Sequence, residues 1–114
     1  MDLVLEARTG RECVTMLCHG MLVGGKEAEA FRSSAMLLIG GFDNLVIDLA
    51  GVRRVDCGGL GSVVAVLSMA MSKGKQVRLA HASPAIMQML EATKLDEFVD
   101  GKKVRPVVAG RDAA

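Results

Sequence analysis

Cys57 stands where a strand-like run gives way to a helix-like run, and a thiol at a helix start is a candidate nucleophile because the helix dipole favours its thiolate. A nucleophile also needs a base, and the chain offers only His19 and His81. His81 ends a strand, and a parallel sheet would bring it to the same edge as the turn at 56–59. A small residue suited to a tight turn accounts for Cys57 without any chemistry. Cys13, Cys18 and His19 are close in sequence, but strand alternation sets Cys18 on the opposite face from the other two, and C-x4-C-H is not a zinc spacing. Asp48 sits mid-strand and Asp56 at a helix cap, so these two carboxylates do not form an acid–base dyad. Gly58-Gly59-Leu60-Gly61 opens a helix after a strand, as phosphate loops do. It lacks the third glycine of the dinucleotide pattern and the Gly-Lys-Ser/Thr of a P-loop. Glycine for close backbone packing is the reading that remains. No catalytic residue, cofactor or metal is expected.

The elements that must position these residues can be read from periodicity and breakers. Leu3 to Ala7 predicts a strand, ended by Thr9-Gly10. From Cys13 to His19, Val14, Met16 and Cys18 share one face of a second. Lys26 to Ile39 predicts a helix with Phe31, Ala35 and Leu38 inward and Gly40-Gly41 as its close. Leu45 to Leu49 is a nearly continuous apolar run, as expected of a strand covered on both faces. Asp56 caps a second helix from about Gly58 to Lys73, with Leu60, Val63, Val64, Leu67 and Met71 as its inward stripe. Val77 to Ala80 is a strand. Ser83-Pro84 opens a third helix with Ile86, Met87 and Leu90 inward. Val104 to Val108 is a final strand weakened by Pro106. Alternating strands and helices imply an α/β domain with a mostly parallel sheet of four to five strands and one antiparallel hairpin. One domain is expected over residues 1–108, followed by a disordered tail at 109–114.

Composition excludes several functions. The 114 residues are 51% hydrophobic but only 3% aromatic, with no Trp or Tyr, so base-stacking platforms are absent. Net charge is +1 and no basic stripe exists to neutralise phosphates, which argues against nucleic acid. The three cysteines, an odd and sparse set, suit free thiols in a reducing, cytoplasmic setting. The longest apolar region, Ser62 to Met71, is about half of what crosses a bilayer, so no membrane insertion is expected. Met69, Met71, Met87 and Met89 serve either the core or a partner-binding face.

Asn44 to Asp100 resembles the STAS family, the domain of bacterial anti-sigma factor antagonists and of sulfate-transporter tails. Leu45-Val46-Ile47-Asp48-Leu49-Ala50-Gly51-Val52 is similar to its central strand, and Asp56-Cys57-Gly58-Gly59-Leu60-Gly61 to its Asp-Ser-Ser-Gly-Leu-Gly signature. Ser83-Pro84-Ala85-Ile86, with Leu90 and Leu95, matches the third-helix region. The resemblance implies a non-enzymatic binding protein whose partner is an anti-sigma factor of serine-kinase type. In such antagonists the second serine of the signature is phosphorylated by that partner, and the phosphate blocks docking. Gly58 holds that position here, Cys57 replaces the first serine, and Gly20-Met21-Leu22-Val23 replaces a Gly-Glu-Leu-Asp motif, so the usual switch cannot operate unchanged. The expected partner surface is Asp56, Cys57, Gly58, Gly59, Leu60, Gly61 and Ser62, with a second copy of the chain as a further partner. Gly58→Ser would create an acceptor, at a cost if the glycine is left-handed. Two alternatives are the STAS subunit of a lipid ABC transporter and a thiol sensor acting through Cys57.

Overall fold

Alternation along the second strand sets the architecture. In β2 (Cys13–Leu22) Val14, Met16 and Cys18 are buried, while the residues between them are only partly covered. The computed structural model describes residues 3–99. β1 (Leu3–Thr9) pairs antiparallel with β2; β3 (Asn44–Val55) pairs parallel with β2, and β4 (Gln76–Ala80) parallel with β3. The sheet order is β1-β2-β3-β4. A single bridge joins Leu79 to Val99 beyond β4. The weak strand expected at Val104–Val108 and the tail at 109–114 lie outside the described residues.

Two helices complete the parallel crossovers, α1 (Lys26–Gly41) and α2 (Cys57–Ser72); α3 (Pro84–Ala92) comes after β4. The core joins Phe31, Ala35 and Ile39 of α1 to Val63, Val66 and Leu67 of α2 over the inward residues of β2, β3 and β4. Burying each large aliphatic or aromatic side chain there contributes roughly 1.5–3 kcal/mol. Ser83 caps α3 by accepting from the Ile86 N–H, and Pro84 holds the first helical position, as the sequence predicts.

Several expectations are corrected. Gly40 and Gly41 form the last turn of α1, and Phe42 is its cap. β3 is not covered on both faces: Leu45, Ile47 and Leu49 are buried, whereas Val46 and Asp48 are half-buried. It also runs on to Val55. The buried face of α2 is Gly59, Ser62, Val63, Val66, Leu67 and Ala70, so Val64 and Met71 point outward at 42% and 66% exposure.

β3 reaches further than its partner because it carries extra residues. Leu17 lies opposite Asp48 but His19 opposite Gly51, and Gly20 opposite Val52 but Met21 opposite Arg54. Each shift is a bulge, which bends a strand and re-aims the residues beyond it. At the first, Asp48 Oδ1 accepts from the Ala50 N–H at 2.9 Å. Gly51 suits the bulge, since a Cβ there would sit 2.9 Å from the Cys18 carbonyl oxygen, a backbone atom that cannot step aside, and would also push the His19 ring away. Pairing resumes at Leu22–Val55 and delivers Asp56 to the start of α2.

Candidate functional site: the start of the second helix

Asp56 is extended (φ −110°, ψ −175°), so its side chain can turn back over the first turn of α2. Oδ1 accepts from the Gly59 N–H at 2.8 Å and from the Gly24 N–H at 2.9 Å. One carboxylate oxygen therefore caps α2 and also holds the β2–α1 loop. The Gly59 N–H is the largest influence on the Asp56 carboxyl and, helped by the Gly24 N–H and the Arg54 charge, outweighs the opposing desolvation and keeps it below the usual carboxylate range.

The glycines make this closure achievable. A Cβ on Gly59 would lie 1.9 Å from the Leu22 carbonyl oxygen, so only glycine lets α2 start directly on β2. A Cβ on Gly58 would lie 2.6 Å from the Gly24 Cα, where the two backbones touch. Gly58 is not left-handed; its constraint is steric. Gly61 faces open space.

Of the sequence-predicted residues, Cys57, Gly58 and Gly61 are exposed, Asp56 and Leu60 half-buried, and Gly59 and Ser62 buried. Ser62 is 6% exposed and donates its hydroxyl to the Gly59 carbonyl at 2.6 Å, so it supports the turn from beneath instead of forming its surface. Sequence reasoning missed the β2–α1 loop. A groove of about 290 Å³ runs beside the turn, lined by Gly24, Gly25, Ala28, Arg32, Gly58 and Gly61 among others. The doublet Gly24-Gly25 was the available signal.

The alternative chemistries do not converge here. His81 turns to Asp48, Nδ1 to Oδ2 3.2 Å, and not to Cys57. Cys18 is buried and Cys13 partly covered, while His19 is exposed. Burial, reinforced by the Asp48 charge, pushes the Cys18 thiol up to about 12. Among the described residues no three His, Cys, Asp or Glu gather as metal ligands, and no helix is long and apolar enough to cross a membrane.

The family profile described as "Mlab, STAS domain" matches residues 10–104. The chain belongs to the STAS family. No curated protein matches this STAS domain significantly. Several solved structures share its fold. An anti-sigma factor antagonist from Mycobacterium paratuberculosis aligns at TM-score 0.73 and 18% identity, over 87% of this chain and 84% of that one. The Bacillus cell-fate determinant SpoIIAA in its phosphorylated form aligns at 0.69 and 19%, over 86% and 88%. The STAS domain of a SulP transporter from Vibrio cholerae aligns at 0.61 and 19%, over 88% and 77%.

Proposed function

We propose that this STAS domain is a non-enzymatic, cytoplasmic binding module that docks on an anti-sigma factor of serine-kinase type and thereby controls transcription. Docking uses the exposed start of α2, Cys57, Gly58 and Gly61, with Asp56, Gly59, Leu60 and Ser62 holding that turn in shape. One observation carries the reading. Gly24 occupies the space where a side chain at position 58 would begin, so the turn presents bare backbone where a phosphorylated serine would stand. A phosphate at an interface adds charge and a desolvation cost. Without a hydroxyl at Gly58 this module stays in the binding-competent form.

Gly61 supplies the probe, because a side chain there projects into open space and leaves the packing alone. Titration calorimetry with a cognate kinase-type anti-sigma factor should show binding that Gly61→Arg abolishes without lowering the thermal midpoint. Incubation with the kinase and ATP should leave the intact mass and the binding unchanged. A gain of one phosphate with release of the partner would overturn the reading. Capture of a transporter ATPase by the same surface would replace the partner with that of a lipid ABC transporter. An oxidant response lost in Cys57→Ser would favour the thiol sensor.

A further inference from the structure

The β1 edge of the sheet carries a second surface. Among the described residues β1 pairs only with β2, so its outer edge leaves backbone N–H and C=O groups unpaired. Natural edge strands are blunted by charged side chains, proline, bulges or shortness. β1 has no proline and no bulge, and its two charges, Glu6 and Arg8, are of opposite sign, so they repel most strands but can complement a second copy. β1 has seven residues, Leu-Val-Leu-Glu-Ala-Arg-Thr, and its register to β2 runs unbroken from Leu3–Gly20 to Thr9–Val14. Beside this edge lies a groove of about 210 Å³ lined by Leu5, Ala7, Met16 and Leu38, with Leu37 78% exposed at its rim. Val4, on β1 itself, is 62% exposed.

We propose that this edge pairs with the same edge of a second copy, joining two sheets by an antiparallel β1–β1 contact about a two-fold axis. The strand's charges select the occupant and the register. With Ala7 opposite Ala7 of the second copy, Glu6 lies opposite Arg8, and Arg8 opposite Glu6. Cross-strand pairs of opposite charge stabilise, and like charges directly opposite destabilise. Centring on Glu6 or on Arg8 would set like charges face to face. Centring on Leu5 would leave Glu6 against Val4. Only the Ala7 register pairs both charges, and neither residue has a salt bridge among the described residues. The interface is isologous and closes on itself, so it gives a dimer and not a filament. It leaves the start of α2 free.

Sedimentation equilibrium of the full chain tests this. The natural protein should form a reversible dimer that weakens as salt rises. Glu6→Arg and Arg8→Glu, both at exposed positions, should each reduce self-association roughly tenfold by turning both pairs repulsive. Mixing those two variants one to one should restore a dimer, because one chain then brings two positive charges to the contact and the other two negative ones. The doubly exchanged variant should also dimerise. Circular dichroism of each variant should match the natural chain. A natural protein that stays monomeric at hundreds of micromolar, charge reversals that leave association unchanged, or a mixture that stays monomeric would each overturn the proposal.

Discussion

Three glycines in the first turns of α2 meet three different surroundings, and substituting each with alanine should separate them. Gly59→Ala drives a methyl into the Leu22 carbonyl and should cost about 3 kcal/mol. Gly58→Ala must displace the Gly24 backbone, with a cost of about 1–2 kcal/mol. Gly61→Ala enters open space inside a helix and should stabilise by about 0.5–1 kcal/mol. Denaturant unfolding of the three variants checks the order, and equal effects would contradict the packing. The same geometry changes what Gly58→Ser means. It adds a hydroxyl, but it also pushes the β2–α1 loop off the turn, so it is not a simple restoration of an acceptor.

At the level of elements, the Asp56 carboxylate ties a loop to a helix 32 residues away. Its folded pKa lies below its unfolded value, so its contribution is complete above the ordinary carboxylate range. That contribution is lost as pH falls through the folded pKa. Asp56→Ala should therefore lower stability at neutral pH, and the gap to the natural protein should close on acidification. Unfolding measured from pH 7 downward checks this, and a gap independent of pH would argue against the clamp. The element order was legible in the sequence because β2 alternates and Ser83-Pro84 and Asp56 are strong caps. The face of α2 was not. Its residues, Cys-Gly-Gly-Leu-Gly-Ser-Val-Val-Ala-Val-Leu-Ser-Met-Ala-Met-Ser, are small or apolar nearly all round, so periodicity cannot choose a side. Ser62 consequently reads as a surface residue until the packing is known. The Gly24–Gly58 contact was equally hidden, because nothing local to either glycine announces a neighbour so distant in sequence.

On the scale of the whole molecule, the cysteines report on different layers. Cys57 is exposed, Cys13 partly covered, and Cys18 buried with its thiol pushed up to about 12. With a thiol reagent at about pH 8, Cys57 should react fast and Cys18 only when the core opens. Mass mapping over time, in native buffer and in denaturant, checks the sequence of labelling. Rapid native labelling of Cys18 would mean that the sheet is not sealed beneath α1 and α2.

The parallel pairing of β2 with β3 also bears on how the chain is made. The β1–β2 hairpin is local, but β3 begins 22 residues after β2 ends, with all of α1 between Leu22 and Asn44. At translation rates of ~5–20 residues per second, that interval is roughly one to four seconds. For that time the nascent hairpin has a bare edge on the β2 side and an uncovered apolar face. α1 is the one element synthesised early enough to cover that face, through Phe31 and Ala35, while the edge waits for β3. Slowing or weakening α1 would thus expose β2 on the ribosome, where an unpaired strand is a template for aggregation.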